Sequence, residues 1–180
     1  MKKIDLIRSL AALDRRGVYV FAKRDLEKLF PRESRKAMEK SLDRMVADGL
    51  LVRAARGIYV NPAASSKDGR VIESGAKAWR PGCFSYVSLE ARLSEYGAIS
   101  QIPIDRITVM TTGRGGVHRT PYGIIEFKHT KRRPADIIER TMAVDGRPLR
   151  IAKREAAIQD LKRVGRNVDM LVDSEAEADA

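Results

Sequence analysis

The chain has 180 residues, 43% of them hydrophobic, enough to build a packed core in one large or two small domains and too many for a disordered polymer. It carries 35 Lys+Arg against 24 Asp+Glu, a formal net charge of +11, and this excess points to a polyanionic partner such as nucleic acid. No apolar run approaches the roughly 20 residues that cross a bilayer, which argues against a membrane protein.

A first helix is expected from about Lys3 to Arg15. Ile4, Ile7 and Ala11 form one stripe, Leu6, Leu10 and Leu13 lie beside it, and Gly17 ends the helix. "VYVF" (Val18 to Phe21) is a short β-prone run. A second helix, Lys23 to Phe30, presents Leu26, Leu29 and Phe30 before Pro31 interrupts the ladder. The third helix starts between Arg32 and Ser34, with Ser34 as N-cap, and runs to about Asp48. Met38, Leu42, Met45 and Val46 share one arc, the buried face, while Arg32, Lys36, Lys40 and Arg44 recur every four residues in a row away from it. Gly49 ends this helix, and "LLVRAARGIYV" is a β-hairpin turning at Arg56-Gly57.

Helix, short strand, helix, helix and hairpin in about 60 residues is the order of a winged helix-turn-helix, in which the helix after the turn enters the DNA major groove. Residues 1–62 are therefore assigned to a DNA-binding domain. They hold 15 Lys+Arg against 8 Asp+Glu, a net of +7. The small, polar residues 63–69 are the expected linker.

A second domain, small and mixed α+β, is expected over residues 70–172. Val71 to Trp79 is helical, "RPGCF" breaks it, and Ser88 caps a helix running to Tyr96. "RITVMTT" is a strand, "GRGG" (Gly113 to Gly116) a hairpin turn, and "GIIEFKHT" a strand with Ile125 and Phe127 inward and Glu126 and Lys128 outward. "RPLRIA" is a third strand and "AKREAAIQDLKRV" a last helix. Residues 173–180, "DSEAEADA", hold four acids and no base and are expected to be disordered.

The N-terminal "MKKIDLIRSLAALDRRG" lacks the unbroken apolar core and cleavage site of a signal peptide. The one cysteine, Cys83, cannot form an intrachain disulfide, and His118 and His129 alone give no zinc-ligand spacing. A cytoplasmic protein without metal or cofactor is expected.

"LDRMVADGLLVRAARGIYVNP" resembles the end of the winged-helix domain of AbiEi-type antitoxins. "FSYVSLEARLSEYGAISQIPIDRITVMTTGR" and "TPYGIIEFKHT" resemble the opening of their second domain, and "IAKREAAIQDL" its later helix. The resemblance covers roughly residues 18 to 165. It implies an antitoxin of a type IV toxin–antitoxin or abortive-infection module, a phage-defence role, and a nucleotidyltransferase-like toxin as functional partner. It also implies that the winged helix represses its own operon by binding inverted repeats in promoter DNA, and that the second domain neutralises the toxin. It carries no catalytic residues. The acidic tail has no counterpart in the family.

Among the candidate DNA contacts, Arg32, Ser34, Arg35 and Lys36 lie in the first turns of the third helix, nearest the base edges, and Lys40 and Arg44 lie deeper, toward the backbone. Arg53 and Arg56 on the hairpin could reach phosphate or a minor groove. The alternative is a solvated helix with Glu39 and Asp43 paired to Arg35 and Lys40, but such pairs contribute only about 0.2–0.5 kcal/mol each. "HTKRRP" places Lys131, Arg132 and Arg133 together, either a solvated loop or a second basic patch. Two other functions stay open: a generic winged-helix repressor without a toxin, and a Mg²⁺-dependent nuclease built on Glu126, Lys128 and Asp105. In the nuclease reading two carboxylates hold the metal beside a lysine. Trp79, Phe84, Tyr86 and Tyr96 read as core rather than as a base-stacking platform.

Overall fold

The computed structural model describes residues 1–99, 105–165 and 167–171. Among them are seven α-helices and two β-sheets, an α+β architecture. Contacts divide the chain into two units: Met1–Trp79 with Thr120–Tyr122, and Arg80–Arg119 with the chain from Gly123 onward.

The first unit comprises α1 (Lys3–Asp14), β1 (Val20–Ala22), α2 (Lys23–Leu29), α3 (Arg35–Ala47), β2 (Val52–Ala55), β3 (Ile58–Val60) and α4 (Val71–Trp79). Its three strands form an antiparallel sheet in the order β1-β3-β2. The β2–β3 turn needs Gly57, whose φ of 76° is left-handed. Three helices converge on one core through Leu6 and Leu10, Leu26, and Met38, Leu42 and Met45, closed by Phe21, Leu51 and Tyr59. Each such buried side chain contributes about 1.5–3 kcal/mol of transfer free energy.

Helix α1 is rotated from the expected stripe. Leu6 and Leu10 are buried, whereas Ile4 and Ile7 are 50% and 40% exposed. Both stripes are apolar, so periodicity alone did not choose between them. Leu29, expected inside, is likewise on the surface of α2.

Residues 63–69 are not a free linker, and the boundary falls near Trp79 instead of residue 62. Asp14 accepts hydrogen bonds from the backbone N–H groups of Ser65 and Ser66, both at 2.9 Å, and from Ser66 Oγ at 2.6 Å. Tyr19 Oη donates to Asp68 at 2.6 Å, and Ala64 and Val71 share a core cluster with Ile58 and Val60. The segment is polar because it satisfies buried or half-buried donors and acceptors of its own unit.

The second unit comprises β4 (Ser85–Val87), α5 (Leu89–Glu95), β5 (Arg106–Thr111), β6 (Gly116–Thr120), β7 (Gly123–His129), α6 (Pro134–Arg140), β8 (Thr141–Met142), β9 (Arg150–Ala152) and α7 (Arg154–Val164). A 3-10 turn, Val168–Met170, follows. The six strands are ordered β6-β7-β5-β4-β9-β8. β5 and β7 pair in parallel from Arg106↔Ile124 to Thr111↔His129, while β4 runs antiparallel to β5 and parallel to β9. The glycine-rich stretch is therefore not a hairpin turn, because β5 and β6 are not neighbours. Helices α5 and α7 cover one core, in which Leu89, Leu93, Ala157 and Leu161 meet Tyr86, Met110 and Ala152.

A buried carboxylate ties this core together. Asp160 on α7 accepts from Tyr86 Oη and Ser88 Oγ, both at 2.9 Å, and meets guanidinium nitrogens of Arg132 at 3.2 Å and Arg140 at 3.6 Å. Burial first, then the Asp160 charge, pushes the Tyr86 phenol upward. Ser88 is at the N-cap position of α5 as expected, but its side chain makes no capping bond; its hydroxyl donates to Asp160 instead. Of the aromatic group, Tyr86 is fully buried, Trp79 and Tyr96 are half-buried, and Phe84 is 42% exposed.

Candidate nucleic-acid interface

Helix α3 is set by its two ends and its seam. Ser34 Oγ accepts from the Ala37 N–H at 3.3 Å, and Gly49 beyond the helix takes a φ of 71°. With Met38, Leu42 and Met45 turned into the core, Arg32, Arg35, Lys36, Lys40 and Arg44 remain exposed. Among the described residues, no hydrogen bond or ion pair holds the side chains of Arg32, Lys36, Lys40 or Arg56. Two of these cations, Lys36 and Lys40, are on α3; Arg32 lies in the turn before its N-cap, outside the helix the sequence spacing placed it on, and Arg56 is at the hairpin turn.

The other candidates are already engaged. Arg44 donates to the Met1 carbonyl at 3.2 Å. Arg35 lies 3.8 Å from Glu39, with 86% of its side chain exposed. Arg53 donates to Asp43 at 2.9 Å and to Tyr59 Oη at 3.0 Å, its guanidinium 5.5 Å from the Tyr59 ring centroid. It braces the hairpin against α3. Ser34 is likewise occupied as a cap. Asp43 pairs with Arg53 instead of Lys40, and Glu39 adds an unforeseen partner, Lys23 at 2.5 Å.

Lys23 and Arg24 were missed from the sequence. They open α2 and line a solvent-open groove with Glu27, Pro31, Glu33 and Arg35. The visible signal was a Lys-Arg pair at a helix start, where the macrodipole disfavours cations. Its placement beside α3 is tertiary and left no mark in periodicity.

The second basic patch does not assemble as three equivalent cations. Arg132 is pinned to buried Asp160, and Arg133 forks onto Asp136 through contacts of 3.1 and 2.9 Å. Hydrogen bonding by Arg133 holds the Asp136 carboxyl below its ordinary range. Lys131 alone of the three makes no such contact and stays exposed.

Glu126 is not an outward residue. It is 3% exposed and neutralised by Arg106 at 3.1 Å and Lys128 at 3.0 Å. Its register partner is Thr108. Asp105 precedes that position by three residues, about 10 Å of strand, in a left-handed conformation outside β5. The two carboxylates are thus not brought together. Among the described residues no three His, Cys, Asp or Glu side chains are grouped to hold a metal ion. No helix there is long and apolar enough to cross a membrane.

No family model and no curated protein matches the chain. A solved structure, the crystal structure of the RV2827C protein from Mycobacterium tuberculosis, is similar at 16% identity and a TM-score of 0.48. The match covers 76% of this chain and 48% of that one, so this chain spans about half the length of that protein. A likeness this distant carries no functional conclusion.

Proposed function

We propose that the first unit is a winged helix-turn-helix that binds duplex DNA, with α3 in the major groove and the β2–β3 hairpin as its wing. The observation that carries this reading is that, among the described residues, no hydrogen bond or ion pair engages Lys36 and Lys40 on the exposed side of α3, Arg32 just before its N-cap, or Arg56 at the hairpin turn. Among the described residues no ion pair consumes Arg32, Lys36, Lys40 or Arg56, which leaves their charge for phosphate. The protein then represses its own operon. The resemblance to AbiEi-type antitoxins supports a second role, counteracting a nucleotidyltransferase-like toxin through the second unit. The buried, neutralised state of Glu126 disfavours a nuclease by comparison.

Two experiments test the two halves. A mobility-shift titration of the full chain against its own upstream region should give a retained band at modest ionic strength. Absence of that band overturns the DNA-binding reading. Co-expression with the adjacent gene, scored for growth and promoter output together, should show rescue. Repression without rescue leaves a winged-helix repressor and removes the antitoxin.

A further inference from the structure

Glu39 stands on the exposed side of α3, one turn after Arg35 and one turn before Asp43. Lys23 Nζ reaches its carboxylate at 2.5 Å, and Arg35 Nε lies 3.8 Å away. The hydrogen bond and charge of Lys23, with Arg35 adding to them, hold the Glu39 carboxyl below its ordinary range. At neutral pH the group is therefore an acceptor only. Both partner cations line the open groove beside α2.

A carboxylate on a surface facing phosphates is repelled unless a donor awaits it there. Lys36 and Lys40, which flank it along the helix, supply donors to the nucleic acid but no acceptor. In the major groove the donor matched to a carboxylate is the exocyclic amino group of cytosine. Resting on the DNA-binding reading above, we propose that Glu39 is a specificity-determining residue that accepts a hydrogen bond from cytosine N4 in the major groove. Lys23 then passes from Glu39 to a backbone phosphate, so no cation is lost from the interface when the carboxylate turns to the base.

The test is enrichment of duplexes from a randomised pool by the full chain and by Glu39→Gln, Glu39→Ala and Lys23→Ala. The wild type should enrich a motif with cytosine at one position, any other base there binding about 5- to 150-fold more weakly. Glu39→Gln should move that preference to adenine, whose N6 and N7 suit a glutamine amide. Glu39→Ala should lose the preference at that position alone. Lys23→Ala should keep the cytosine while binding all duplexes more weakly. Either of two results overturns the proposal: Glu39 variants that enrich the wild-type motif at wild-type strength, or Lys23→Ala erasing the cytosine as Glu39→Ala does. The first would make Glu39 dispensable for recognition, and the second would show that the preference needs the Lys23–Glu39 pair held together and not a carboxylate released from Lys23. A wild type that retains no duplex at all removes the DNA-binding reading itself, a distinguishable outcome.

Discussion

Asp43 on α3 and Arg53 on β2 are joined at 2.9 Å, and the same guanidinium donates to Tyr59 Oη at 3.0 Å. The hairpin is thereby fixed to α3. Both charged side chains are about half exposed, so solvent screens the pair and its contribution is small. Arg53→Ala should cost about 0.5–1 kcal/mol of stability in urea unfolding, ion pair and ring contact together. Its loss of DNA affinity should be smaller than that of Arg56→Ala, because Arg56 has no such prior partner. Equal losses would show that Arg53 leaves Asp43 on binding.

Lys36→Ala and Lys40→Ala separate phosphate contacts from base contacts. A lysine that neutralises one phosphate should reduce the slope of log affinity against log salt by about 0.9 on removal, with random and operator DNA weakened alike. A base contact should instead cost about 1–3 kcal/mol on the operator only. Lys36 is on the first turn of α3 and Lys40 on the second, so under the DNA-binding proposal the base effect is expected at Lys36 and the salt effect at Lys40. Titrations at three or more salt concentrations decide it.

Asp160 is fully buried between two arginines. Asp160→Ala leaves Arg132 and Arg140 without their carboxylate, and the Nε atoms of both already lack a hydrogen-bond partner. The variant should be destabilised by about 3–5 kcal/mol. Leu42→Ala, a cavity in the first unit, should cost about 2–5 kcal/mol by a different route. If the two units unfold separately, urea curves followed by a probe in each will assign each loss to its own transition. A loss below about 1 kcal/mol for Asp160→Ala would mean that both arginines regain water.

Asp14 gives a pH signature. Hydrogen bonds from Ser66 Oγ and from the Ser66 and Ser65 N–H groups hold its carboxyl below the ordinary range. A carboxylate lowered by folding adds stability that is complete above its unfolded pKa and is lost as pH falls through the lower, folded value. The stability gap between wild type and Asp14→Asn should therefore be constant above about pH 5 and close in the acid limb. A gap that widens on acidification would contradict this hydrogen-bond geometry.

Local signals were legible, and tertiary ones were not. Gly49 and Gly57 marked the ends they should, Ser34 is the cap its position suggested, and Met38, Leu42 and Met45 are the seam of α3. Helix α1 was ambiguous because two apolar stripes compete on it, and only packing in the cluster with Phe21, Leu26, Leu42 and Tyr59 selects Leu6 and Leu10. The short strands β4, β6 and β8 and the helix α6 left little periodicity to find. Glu126 was misplaced because strict alternation assumes one wet face, whereas both faces of β7 are covered at that level. At the candidate interface Lys36, Lys40 and Arg44 are on α3 as their spacing suggested, whereas Arg32 falls in the turn before the Ser34 cap. Which cations are spent internally was not visible in spacing, since Arg53, Arg132 and Lys23 meet carboxylates 10, 28 and 16 residues away in the chain.

The strand order of the second unit also dictates when it can form during synthesis. β4 lies between β5 and β9, and β9 is made more than 60 residues after β4, with Asp160 later still. The helical cluster of the first unit, Leu6 to Tyr59, comes from the first 60 residues and can pack while the ribosome is still at work; the second cluster waits for Ala64 and Val71. A nascent chain stalled before α7 would therefore carry a packed, cationic N-terminal core and a sheet whose buried carboxylate, Asp160, has yet to arrive.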